Sequence, residues 1–224
     1  IPTVERMYRK YIAIISDADT KKVTEELYHV DVNALFPTIE AIFGKVYSIL
    51  PDDIAIGDQI EIPLGDLGTF TATVQMVKDD KVLFLFDDYI VKRPMNENGS
   101  NEGGYEKSDL KKWIENDLFK MFPKALRKHM TGLTIPTLGE ICGWGDNWDK
   151  EHIEPDSDEQ LPLMKQRRNR VAYYSNECSS GWLRNAMKKE FSSASFADVD
   201  GRGNPTYNSA SSSFGVRPEF WLVR

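Results

Sequence analysis

His29, His129 and His152 are the only imidazoles in the chain, and none is spaced with another as a metal-binding or acid–base pair would be. A zinc-protease helix needs His-Glu-x-x-His, because residues four apart share one helix face. An acyl-transfer nucleophile needs a Gly-x-Ser-x-Gly elbow to expose its hydroxyl. Neither string occurs, and no glycine-rich loop precedes a helix to cradle a phosphate. Cys142 and Cys178 are too few for a disulfide scaffold or a structural zinc site. They read as free, buried thiols, with a single bridge as the alternative. The chemistry-bearing residues therefore favour binding over catalysis, and no cofactor is expected.

One segment has the oxygens that calcium would want. Asp146, Asp149, Glu151, Glu154, Asp156, Asp158 and Glu159 crowd residues 146–159. Glu154, Asp156 and Asp158 are the first candidate ligands. The spacing is not that of an EF-hand, and Lys165, Arg167, Arg168 and Arg170 follow closely enough to neutralise the acids. A solvated acidic loop without metal is the expectation.

Residues 185–214 mix Asn, Ser, Tyr, Phe, Asp and Arg with no periodic apolar face. Binding loops use such a mixture, since Tyr supplies contact area at low entropy cost and Ser, Asn and Gly supply adaptable hydrogen bonds. A surface loop without function has the same composition. Trp144 and Trp148, set among glycines and acids, are further groove candidates, whereas Trp182 and Trp221 sit in strand-like runs and read as core.

The elements that must position these groups are legible from periodicity. Val4, Met7, Tyr8, Tyr11, Ile12 and Ile15, then Val23, Leu27 and Val30, then Leu35, Ile39, Ile42, Phe43, Val46, Tyr47 and Leu50 recur at helical spacing. They predict a helical segment over 1–51 that packs on the main domain or on a second copy of the chain. From Gly57 the period becomes two. Ile60, Ile62 and Leu64, then Phe70, Ala72, Val74 and Met76, predict a hairpin about Gly65–Gly68. Val82–Phe86 is an unbroken apolar run, the mark of a central strand. Ser108 can cap a helix with Leu110, Trp113, Ile114 and Leu118 inside, and Pro123 begins a shorter helix with Leu126 and Met130. Short strands are expected at Val171–Tyr174, Gly181–Arg184, Phe196–Val199 and Phe220–Val223. The result is an α+β domain over 52–224 with few helices, short strands and long loops.

Bulk properties bound the partners. A composition 41% hydrophobic and 28% charged supports a real core, and a formal charge of −7 without a basic stripe argues against nucleic acid. No apolar run is long enough to span a bilayer. The chain starts at Ile1 rather than Met, so a removed leader stays open.

Five strings follow one another in order: Arg93-Pro94-Met95-Asn96-Glu97, Tyr105 through Trp113, Pro136-Thr137-Leu138-Gly139-Glu140, Trp182-Leu183-Arg184 and Gly215-Val216-Arg217-Pro218. The series, over about residues 57–224, resembles a domain of unknown function common in gut bacteria and their phages. Members of that group are similar to the variable proteins of diversity-generating retroelements. The resemblance implies a C-type-lectin fold of the formylglycine-generating-enzyme type, with diversified side chains just before the Gly-Val-Arg-Pro ending. It makes Asn185, Phe196, Asp198, Arg202, Asn204, Tyr207, Asn208 and Phe214 the candidate ligand-binding residues. It implies a receptor-binding protein of a phage virion or bacterial cell surface, with a cell-surface protein or glycan as target. Formylglycine-generating enzymes work through a close cysteine pair, which Cys142 and Cys178 do not form in the sequence. An enzyme of that fold and a purely structural virion component are the alternatives. Arg217 is expected to tie loops together through backbone carbonyls or a carboxylate.

Overall fold

The computed structural model of the protein describes residues 50–51, 53–145 and 147–223. Of the helical segment expected over 1–51, residues 1–49 lie outside the described residues, as does any contact with a second copy through them. The rest is a mixed α+β domain. The predicted hairpin is β1 (Gln59–Pro63) and β2 (Thr69–Val77), joined by a 3-10 turn at Gly65–Leu67. β3 (Lys81–Phe86) explains its unbroken apolar run directly. Val82, Phe84 and Phe86 enter one core, while Leu83 and Leu85 enter another, so both faces of the strand are buried.

After β4 (Val91–Arg93), Ser108 caps α1 (Asp109–Trp113), its Oγ accepting from the Lys111 N–H at 3.0 Å. The helix continues through a π-helical turn, Ile114–Leu118, into α2 (Phe119–Met121), and α3 (Lys124–Arg127) follows. Leu110, Ile114 and Leu118 are buried with Phe122, whose ring meets those of Phe86 and Phe220 edge-on. Met130, expected to continue a helix, instead opens β5 (Met130–Thr134). α4 (Leu138–Cys142) begins with a full capping box between Thr137 and Glu140. α5 (Asn147–His152) lies within the segment expected to be an acidic loop. β6 (Ala172–Tyr174) and β7 (Glu177–Ser179) form a separate ribbon. β8 (Gly181–Ala186), β9 (Ser195–Val199), β10 (Pro205–Ser209), β11 (Phe214–Val216) and β12 (Glu219–Val223) complete the chain.

Two five-stranded sheets result, in the orders β1-β2-β3-β12-β5 and β10-β9-β8-β11-β4. The first is antiparallel throughout; in the second, β8 and β11 run parallel. The chain passes between the sheets four times, and two of the passages are adjacent, Asp87–Ile90 leading from β3 towards β4 and Arg217–Pro218 from β11 to β12. The Tyr89 ring of the first passage packs over the place where β8 and β11 pair. A Cβ on either Gly181 or Gly215 would overlap that ring, so only glycine fits there. Arg217 is buried, and its Nε donates to the Phe86 carbonyl at 2.6 Å while both terminal nitrogens reach the Asn169 carbonyl at 3.4 Å. The loop-tying role expected for Arg217 is what the structure contains.

Trp182 is fully buried, with its indole N–H donating to the Arg93 carbonyl at 2.8 Å. Trp221 is only half-buried, because the outward face of β12 at this point is covered by the ammonium groups of Lys78 and Lys81, 4.9 and 4.7 Å from the ring. The expectation of two equivalent core tryptophans is corrected accordingly. Chemical denaturation should show Trp182→Ala losing about 3–5 kcal/mol and Trp221→Ala clearly less, since only the former leaves a closed cavity and an unpaired carbonyl. Equal losses would contradict this placement.

Candidate functional site

The C-terminal hairpin positions the site. β9 and β10 pair antiparallel, with Tyr207 opposite Ala197 and Asn208 opposite Phe196. The connecting turn is organised by Asp200, whose carboxylate accepts from the backbone N–H groups of Arg202 and Asn204 at 2.8 Å each. Burial alone would raise its pKa, but these two bonds and the Asn204 side chain hold it below the usual carboxylate value. β10 is the outer strand of its sheet. Alternation along it points Asn208 inward, donating to Asp198 Oδ1 at 3.1 Å, and turns Tyr207 outward.

Tyr207 does not stand alone. Its ring is stacked with that of Trp148 at 5.5 Å and 20°. Trp148 is also stacked with His152 at 4.5 Å and 22°. Phe191 meets all three edge-on, at 5.6, 4.6 and 5.2 Å from Trp148, His152 and Tyr207. Three stretches far apart in sequence therefore build one aromatic surface: α5, the 188–192 turn and β10. Trp148 and His152 are four residues apart on α5 and so share a face, and His152 Nδ1–H donates to the Trp148 carbonyl at 2.9 Å. The turn is tied to α5 by the Lys188 N–H on the His152 carbonyl and the Lys188 ammonium on the Lys150 carbonyl, both 2.8 Å. Trp148, Phe191 and Tyr207 nevertheless remain 40%, 39% and 40% exposed, unusual for rings of this size that already touch one another.

Of the eight residues singled out from sequence, Tyr207 and Arg202 are exposed, while Asn204, Asn208 and Phe214 are half-buried. Phe214 packs on Trp182 at 4.9 Å. The other three are interior and cannot meet a ligand at the surface. Phe196 is wholly enclosed in the main core, on the inward face of β9. Asn185 is buried as a cross-link: its Oδ1 accepts from the Leu138 N–H at 2.7 Å, and its Nδ2 donates to the Glu154 carbonyl and Asp156 Oδ2. Asp198 is buried, and burial, only partly offset by the Asn208 hydrogen bond, pushes its pKa up to about 7. The surface also contains three residues not singled out as ligand contacts. Trp148 was a groove candidate, His152 was noted only as an isolated imidazole, and Phe191 carries no local signal beyond being the one aromatic among Lys, Glu and Ser.

The three candidate calcium ligands do not converge. Asp156 accepts from Trp144 Nε1 and the Asp158 N–H with one oxygen, and from the Gly139 N–H and Asn185 with the other. Asp158 is turned to Thr137 and Arg184, and Glu154 is exposed. Among the described residues no group of three His, Cys, Asp or Glu is arranged to hold a metal ion. The basic run makes other contacts than the expected pairing with these carboxylates, Arg167 reaching Asn204 and Arg170 the Met164 carbonyl. Both cysteines are free thiols; Cys142 is largely buried and its pKa is pushed up to about 12, whereas Cys178 is exposed.

Two measurements check this account. Asp198 has a folded pKa raised above its unfolded value, so the folded state favours its neutral form. Its contribution is fully present below about pH 4 and is lost as pH rises through about 7. Asp198→Asn should therefore raise stability at neutral pH and flatten the pH profile of denaturation over that window; an unchanged profile would refute the burial argument. Asp156→Ala should cost about 2 kcal/mol or more through its orphaned donors, while a chelator leaves the melting temperature unchanged. A chelator-induced drop would show that these carboxylates hold calcium instead.

No curated protein matches this chain, and no solved structure does. A family model does match, over residues 79–224, from the turn before β3 to the end of the chain. The chain belongs to that family, DUF6273, a domain of unknown function.

Proposed function

We propose that this chain is a non-enzymatic binding protein, with a C-type-lectin-like scaffold presenting a changeable surface to a protein or glycan on a cell. A phage virion or a bacterial surface is the setting that suits it. The observation that carries the reading is the aromatic surface of Trp148, Phe191 and Tyr207, each about two-fifths exposed and supplied by separate stretches of chain. Clustered exposed rings mark interaction sites, and a few such residues dominate affinity in most interfaces. Tyr207 and Arg202 lie in the segment that the family resemblance marks as variable, and they stand on a hairpin whose inward side chains are fixed. The side chains facing out can therefore change while the fold stays.

The scaffold part of the proposal is supported by the short strands, the few brief helices and the long irregular stretches between them. Among the described residues no helix is long and apolar enough to cross a membrane.

The test begins with a partner found by screening cell-surface extracts and glycan panels. Alanine at Trp148, Arg202 or Tyr207 should then weaken binding by about 1–2 kcal/mol or more with the melting temperature held. Full affinity after simultaneous replacement of all three would place recognition elsewhere on the molecule.

A further inference from the structure

Away from the aromatic surface, a cavity of about 450 Å³ lies between the first sheet, α1 and the 158–161 stretch, with Thr134, Glu140, Asp158, Arg184, Glu219 and Trp221 on its wall. Its charges do not balance. Lys111 is engaged by Glu106 at 2.7 Å and Glu115 at 3.1 Å, and Lys78 rests on the Trp221 ring. Arg184 is left with three carboxyl groups: its Nη2 is 2.8 Å from Glu140, 3.3 Å from Glu219 and 3.7 Å from Asp158. Glu159 adds a further acid at the rim. One guanidinium faces two carboxyl groups largely withdrawn from water, Glu140 and Glu219, with the exposed Asp158 beside them, so a further positive charge would balance the site.

Glu219 shows where that charge belongs. It is 3% exposed, and its Oε2 has no hydrogen-bond partner among the described residues, although Arg184 reaches Oε1. Glu140 is in a different state, its Oε2 accepting from the Thr137 N–H at 2.8 Å as well as from Arg184. We propose that this cavity binds a small organic cation, an ammonium or guanidinium head donating to Glu219 Oε2, with its carbon stem against Trp221. A directional N–H suits one free carboxyl oxygen, whereas a metal ion wants several ligands converging on a point.

While no cation is present, burial favours the protonated form of Glu219. Burial first, then repulsion from Glu140, pushes the Glu219 pKa well above the carboxylate range, and Arg184 opposes the rise only in part. A bound cation takes over the balancing role, and the proton leaves Glu219 for solvent. Binding and proton release are thus coupled.

This site is independent of the aromatic surface, so its failure would leave that reading untouched. The test is isothermal titration calorimetry of the whole chain near neutral pH with agmatine and n-butylamine. The uncharged butylurea serves as a shape control. At least one cation should bind where butylurea does not. The heat should vary with the ionisation enthalpy of the buffer, as release of up to about one proton requires. Glu219→Gln should weaken binding about tenfold or more and remove the buffer dependence. Absence of binding by both cations at roughly ten millimolar, a weak limit of only about 3 kcal/mol, would overturn the proposal. So would wild-type affinity in Glu219→Gln. If that variant does not fold, a wild-type heat independent of the buffer overturns it equally.

Discussion

The ring of Tyr89, laid over Gly181 and Gly215, is the contact that ties the link between β3 and β4 to the second sheet. Two of the four passages between the sheets, β3 to β4 and β11 to β12, run beside it. The Ile90 N–H donates to the Val216 carbonyl and the Phe86 N–H to the Pro218 carbonyl, each at 3.0 Å, so the two passages are bonded to one another. Arg217 closes the arrangement from inside through the Phe86 and Asn169 carbonyls. A guanidinium buried without an ionised partner in direct contact is costly, and its burial lowers the pKa despite the distant help of Tyr89 and Asp87. What offsets that cost is the satisfaction of carbonyls that the crossing leaves outside any ladder. The spacing of the Gly-Val-Arg-Pro string follows. Glycine admits the ring, arginine ties the passages, and proline ends the strand pairing with β8 and β4.

With the crossing fixed, the outer strand of the second sheet has a firm base. β9 is buried along its length and holds β10 by a full ladder on one side only. Inward groups on this hairpin are committed to the fold, as Phe196, Asp198 and Asn208 illustrate. On β10 the outward Tyr207 meets α5 and the 188–192 turn. The division between fixed and free side chains is therefore a consequence of strand alternation at a sheet edge, and it does not need a flexible loop.

Much of the scaffold was legible because its signals are local. The β1–β2 alternation, the two-faced apolar run of β3, the Ser108 cap and the closing β12 each announce themselves within ten residues or so. β4, β5 and β10 do not. Thr206, Tyr207 and Asn208 have no apolar pattern, and only the partner β9 makes them a strand. Met130 follows a helical stripe and is claimed by β12 instead. The candidate site lies at the surface at Arg202 and Tyr207, in keeping with a stretch that has no periodic apolar face. It was misread at Asn185, because a polar side chain that meets one donor and two acceptors across the fold looks, in sequence, like any surface asparagine. Phe191 was invisible for the opposite reason, since its neighbours are contributed by α5 and β10. The paired acids Glu140 and Glu219 are similarly separated in sequence and meet only in the fold, beside Arg184.

The position of β12 has a kinetic meaning. It is the last strand among the described residues but lies between β3 and β5, so the first sheet is two separate fragments until it arrives. Phe220 then slots against Phe84 and Phe122 and seals a core that the preceding chain can only outline. Closing that sheet brings together segments with the whole second sheet between them, a loop closure of high entropic cost. On a ribosome the domain can therefore acquire its hairpins early but cannot become cooperative before its final strand has emerged. Variation on the outward face of β10 leaves that late step alone, because no residue of that face takes part in it.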